Sequence, residues 1–180
     1  MTTAFRDGLE AAERERAMLL ARLEAMTPNQ RVFQPAPDAW SPVQVVLHLT
    51  LADEGTLVGM RRELEAGKAP GRQLWKTRLG FVLLIGFFAF RMKLRVPVRA
   101  ILPDPAVALP EVRRRWDAAR TGIVGFFDAL PDDRLARPLF RHPVVGWLTP
   151  GQTLAFIRRH GRHHRRQVER IAGSPGFPVP

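Results

Sequence analysis

One helix-starting device occurs twice in this chain, as Ser41-Pro42-Val43-Gln44 and as Thr149-Pro150-Gly151-Gln152. In each, the hydroxyl caps a helix, proline suits the first helical position, and glutamine three residues on completes a capping box. These open a second and a fourth helix, the fourth ending near Gly173. Two further runs show the same periodicity. Phe5, Leu9, Ala12, Leu19, Leu23 and Met26, with Arg16 the one polar interruption, place a first helix over about 3–26, which Thr27-Pro28 stops. Val112, Trp116, Ala119, Ile123, Phe126 and Phe127 mark the inner face of a third, from about Pro110 to Leu130, ended by Pro131. No strand alternation exceeds a few residues, and there is no internal repeat. Four amphipathic helices in this length predict an all-α four-helix bundle over 1–172, with a loose Pro- and Gly-rich tail over 173–180.

The connection between the second and third helices is long, about 67–109, and a long connection permits consecutive helices to run parallel. It carries an uncharged apolar run, 79–90, flanked by Lys76, Arg78, Arg91, Lys93 and Arg95. A bilayer span needs roughly 20 residues, so this run is too short to cross one. It reads first as a short helix covering the open end of the bundle or packing in a dimer interface. A segment lying in a membrane surface and a lid over a ligand pocket are the alternatives.

The chain has no cysteine, which excludes disulfides, thiolate metal sites and a cysteine nucleophile. Its polar start does not read as a signal peptide, and the expected location is cytoplasmic. The net charge is +11, and 25 of the 28 basic residues are arginine. That charge suits an anionic partner, but the arginines are spread along the whole chain and mixed with acids in the first thirty residues. A compositional habit explains that spread better than a single binding patch does.

His160 and His164 lie four apart in the fourth helix, one turn apart on one face, where two imidazoles can hold one ion. With five histidines in all, a third ligand must be His48, His142, His163 or a carboxylate. On a helical wheel, His160 and His164 fall with Ile157, Val168 and Ile171 on the inward stripe. His163 sits at its edge, and Arg158, Arg159, Arg162, Arg165, Arg166 and Arg170 lie opposite. In the second helix His48 shares an inward face with Val45, Leu51, Ala52, Gly55 and Gly59. His48 is about 10 Å past its helix start and His164 about 12 Å before its helix end. The two match in height only if those helices are antiparallel, so the metal reading prefers an up-down-down-up bundle, which the long connection permits. A neutral three-histidine site leaves coordination positions free, where an ion lowers the pKa of bound water or thiol, or polarises a carbonyl. Gly161 stands where a zincin would carry its glutamate, so that motif is absent.

Trp40-Ser41-Pro42 followed by Val46-Leu47-His48-Leu49, then His142-Pro143 with Gly146-Trp147-Leu148-Thr149, then His160-xxx-His164-xx-Gln167, resembles the DinB-like superfamily across most of the chain. The resemblance implies a four-helix bundle, often paired as a homodimer. It also implies a divalent metal held by His48, His160 and His164, with zinc or nickel ahead of iron or manganese. The implied activities are thiol-dependent: transfer of a small-molecule thiol to an electrophile, or isomerisation using such a thiol, as a detoxification or stress activity. The chain departs from commoner members in carrying Gln44 where a glutamate is frequent and in its strong apolar 79–90 run.

A metal-dependent thiol transferase is therefore the first expectation. Gln167, His142 and His163 are candidates for orienting ligands or substrate, and Arg99 and Arg141 for the carboxylates of the thiol. The competing expectation is a non-enzymatic module docking an anionic membrane surface or nucleic acid through the arginine face of the fourth helix. Nucleic acid is disfavoured, because there is no helix-turn-helix cue and no aromatic interleaving on that face.

Overall fold

Capping chemistry sets where the helices begin. Gln44 and Ser41 exchange backbone and side-chain hydrogen bonds, and Gln152 and Thr149 repeat the exchange. Thr27 and Gln30 make it a third time, so Thr27-Pro28 opens a short helix as well as closing the first. The computed structural model describes residues 3–67, 69–70, 73, 75–89 and 101–179. Its helices are α1 (Thr3–Glu24), α2 (Pro28–Val32), α3 (Pro42–Ala66), α4 (Trp75–Ala89), α5 (Leu109–Asp128) and α6 (Pro150–Ala172). The expected bundle helices are α1, α3, α5 and α6. Gly67 ends α3 at φ 62, a left-handed cap that costs glycine no Cβ clash. Two three-residue strands, β1 (Phe140–His142) and β2 (Gly146–Leu148), form an antiparallel hairpin before α6. No strand was expected, since three residues are too few to show alternation.

Pairwise contacts fix the helix directions. Gly8 lies against Leu154 and Glu15 bonds Arg165, so α1 and α6 are parallel. Glu54 bonds Arg115 and Leu57 abuts Gly122, so α3 and α5 are parallel. Phe5 meets Phe127 while Glu24 meets Arg113, so α1 and α5 are antiparallel. Leu57 and Met60 share one apolar cluster with Leu154 and Ile157, and Val43 and Val46 share another with Val168 and Ile171, so α3 and α6 are antiparallel. This is the up-down-down-up order.

Those two apolar clusters fill opposite ends of the bundle. Between them runs a polar stratum to which all four long helices contribute: Arg16 from α1, His48 and Asp53 from α3, Arg120 from α5, and His160 and His164 from α6. Arg16, the polar interruption in the first helix, bonds Glu13 and Asp117 and lies 5.8 Å from the Trp116 ring. The buried side of α3 is broader than its wheel suggests. Val46, Leu49, Asp53, Leu57 and Met60 are buried while Gly55 is exposed, because α3 is clamped between α5 and α6.

The 79–90 run falls largely within α4, which packs on α6 and on the hairpin, Gly80 resting against Val145. Its last residue, Phe90, lies outside the described residues, as do Arg91, Lys93, Arg95 and Arg99. Among the described residues no helix is long and apolar enough to cross a membrane. The tail, expected to be loose, is docked. Phe177 sets its ring edge-on to Phe33 at 5.5 Å, and Gln30 Nε2 donates to the Pro178 carbonyl.

Candidate metal centre

Because α3 and α6 are antiparallel, His48 meets His160 and His164 at mid-height. All three are buried, and their ring nitrogens lie within 4.8 Å of one another. His160 Nε2 is 3.3 Å from His48 Nε2 and 3.0 Å from His164 Nε2. Nitrogen ligands held about 2.0–2.1 Å from a tetrahedral ion stand about 3.3 Å apart, so the spacing fits a shared ion.

The outer nitrogens decide which way the lone pairs point. His48 Nδ1–H donates to the Ile101 carbonyl at 2.9 Å, and His164 Nδ1–H donates to Gln167 Oε1 at 2.7 Å. Each of those rings then carries its bare lone pair on Nε2, facing the centre. Only His160 can supply an Nε2 proton, and it can satisfy one neighbour at a time. Three convergent nitrogens with at most one proton between them leave an unmet acceptor, which a cation removes. This arrangement, with a backbone carbonyl and an amide fixing the rings from behind, is how metal-ligating histidines are oriented. Burial pushes all three histidines below their usual range, so the rings are neutral and able to coordinate.

The surroundings are aromatic. Trp40 lies 4.8 Å from the His48 ring, Phe88 of α4 lies 5.4 Å from His160, and Phe156 stacks on His160 at 5.1 Å. No carboxylate joins the cluster among the described residues.

The remaining expected site residues divide sharply. Gln167 touches the cluster directly. His142 was expected in a loop but ends β1, buried, with Nδ1 accepting from the amides of Val144 and Val145. It stands behind Phe156 at 4.7 Å and does not reach the three nitrogens; burial pushes its pKa down to about 4. His163 turns its ring toward Phe87 and Phe88, outside the trio. Arg141 is exposed, on the outward side of β1 between buried Phe140 and His142, so it does not face the cluster. Arg99 lies outside the described residues. Sequence reasoning missed the walls, Phe88 and Phe156, and the Ile101 carbonyl. Trp40 was signalled only as part of a motif. A backbone carbonyl leaves no mark in residue identity.

A second buried polar group sits on the α5 side of α3. Asp53 Oδ2 accepts from Trp116 Nε1 at 2.6 Å and from Arg120 Nε at 2.8 Å. Burial raises the Asp53 pKa, opposed by the Arg120 guanidinium.

Comparison with known proteins agrees with the fold. A family model described as the DinB superfamily matches residues 11–168. TT2238, described as a four-helix bundle protein, is 23% identical with a TM-score of 0.59, over 92% of this chain and 98% of its own. YfiT from Bacillus subtilis, described as "a probable metal-dependent hydrolase with an unusual four-helix bundle topology", is 17% identical with a TM-score of 0.61, over 99% of this chain and 91% of its own. No curated protein matches the sequence.

Proposed function

The chain belongs to the DinB superfamily, and from that premise we propose that it is a metal-dependent enzyme that transfers a small-molecule thiol to an electrophile. His48, His160 and His164 would hold the ion. The observation that carries the reading is the pair of outer hydrogen bonds, to Ile101 and Gln167, that aims two bare lone pairs at one point. A divalent ion held there, zinc or nickel ahead of iron or manganese, would supply the Lewis acidity that lowers the pKa of a thiol. With no cysteine in the chain, that thiol is a cosubstrate. The thiol proton goes to solvent, its sulfur supplies the electron pair of the new bond to carbon, and the bond from that carbon to the leaving group breaks with its pair passing to the leaving group.

The chain's residues position and shield. Gln167 and the Ile101 carbonyl fix two rings, while Trp40, Phe88 and Phe156 exclude water and suit an apolar electrophile. Hydrolysis is the second reading, favoured by the fold shared with YfiT. It would use water where the first uses a thiol.

Elemental analysis of tag-free protein, beside His48→Ala and His164→Ala, tests the site. Near-stoichiometric metal lost in both variants is the expected result. Metal-free protein whose variants melt like the parent would overturn it. Turnover of electrophiles by the metal-loaded protein then separates the reactions: thiol-dependent product supports transfer, and thiol-independent cleavage supports hydrolysis.

A further inference from the structure

We propose that the outer face of α4, together with the arginine-lined groove beside it, docks the protein on an anionic phospholipid bilayer. Trp75, Leu79, Val82 and Leu83 are 68%, 51%, 64% and 64% exposed. At about 100° per residue these four fall within an arc of about 100°, an apolar stripe of the width that a globular helix normally turns toward its core. Here the stripe faces out, while Gly80, Leu84 and Phe88 face the hairpin and α6. Arg78 and Lys76, both exposed, border the stripe on either side. Fifteen residues span about 22 Å, too short to cross a hydrocarbon core of about 30 Å but suited to lying in its surface.

Charge selects the occupant. Beside α4 lies a groove of about 670 Å³ lined by α1, α4 and α6, with Arg14, Arg158, Arg159, Arg162 and Arg166 along its walls and Ile85 among its lining. Arg165 is tied to Glu15 and Glu169, whereas Arg158, Arg159, Arg162 and Arg166 have no ion-pair partner among the described residues. The sequence continues the bias: no acid stands between Glu65 and Asp104, a stretch with eight basic residues. A second copy seated on this face would bring the same arginines against each other. A nucleic acid would satisfy the arginines but leave four large apolar side chains against phosphate and water. Anionic headgroups over an acyl layer satisfy both.

Flotation of the full chain with phosphatidylcholine vesicles, with and without phosphatidylglycerol, tests this. Binding at least tenfold stronger to the anionic vesicles, and weakened by salt, is expected. V82D/L83D should lose binding to both vesicle types. R158E/R159E/R162E should lose the preference for phosphatidylglycerol. Both variants should keep the parent's melting temperature and metal content, which separates this surface from the histidine site. Tryptophan emission should shift to the blue on vesicle addition, and the shift should vanish in Trp75→Phe. Three results would each overturn the proposal: no flotation with anionic vesicles, a dimer in sedimentation that V82D/L83D converts to monomer, or duplex DNA binding as tight as vesicle binding and insensitive to V82D/L83D.

Discussion

Helix α3 carries a buried polar group on each of two sides, and the two are built on opposite principles. Toward α5, Asp53 meets Arg120 and the Trp116 indole; negative charge faces positive, and Trp116 Nε1 and Arg120 Nε both donate to Asp53 Oδ2, which closes the group. Toward α6, three neutral imidazoles converge with at most one proton between them, and a cation is what would complete them. Burial acts on both. On the first side it works against the Asp53 charge, which the Arg120 guanidinium supports in a pair that joins two helices. On the second it strips protons from bases and leaves them ready to coordinate. A closed group is explained by the fold it stabilises, an open one by what it binds.

That contrast can be broken from either side. The largest expected effect is Asp53→Ala, which strands the buried Arg120 charge and should cost about 3–5 kcal/mol by chemical denaturation. Metal content per folded molecule should not change; loss of metal at full stability would reverse the assignment of the two groups.

His142 tests the neutral side by acid. Its folded pKa of about 4 lies below the ordinary 6.5, so the unfolded chain takes up a proton first as pH falls. The His142 contribution to stability is level above 6.5 and should fall between 6.5 and about 4, by about 3 kcal/mol. His142→Asn keeps an acceptor for the Val144 and Val145 amides and should make that limb shallower in pH-dependent melting, the cluster histidines supplying the remainder.

Gln167→Ala should weaken metal binding about 10–100-fold in competition with a chelator, with little change in the metal-free melting temperature. Gln167→Glu, which keeps the acceptor, should restore most of the affinity. Arg115→Ala removes a partly exposed ion pair with Glu54 on the same seam as Asp53, and should cost at most about 1 kcal/mol. A cost equal to that of Asp53→Ala would mean that charge, not burial, sets the first group's weight.

The sequence exposes these two groups unequally. The histidines share a period and a helix face, and matching their depth to His48 selected the helix directions. Asp53 carried no such mark, because its partners stand 63 and 67 positions away and neither repeats a pattern. The capping boxes at Ser41 and Thr149 were legible from side-chain chemistry alone. The third, at Thr27, was not, because the five-residue helix it opens is too short to show periodicity. The hairpin escaped for the same reason, and with it the burial of His142. The docking of the tail depends on a ring-to-ring contact between Phe33 and Phe177, which no local rule foretells.

The helix order also sets a timetable. The seams α1–α6 and α3–α5 both join helices that are not neighbours in sequence, and the Glu15–Arg165 bond closes a separation of 150 residues. Most helical bundles fold quickly because adjacent helices pair first; here loop closure must precede the reward, so refolding should be slow for an all-α chain. On a ribosome adding about 5–20 residues per second, the apolar face of α1 waits roughly 7–30 s for α6 to emerge. For that interval the first helix made is the one most in need of a chaperone.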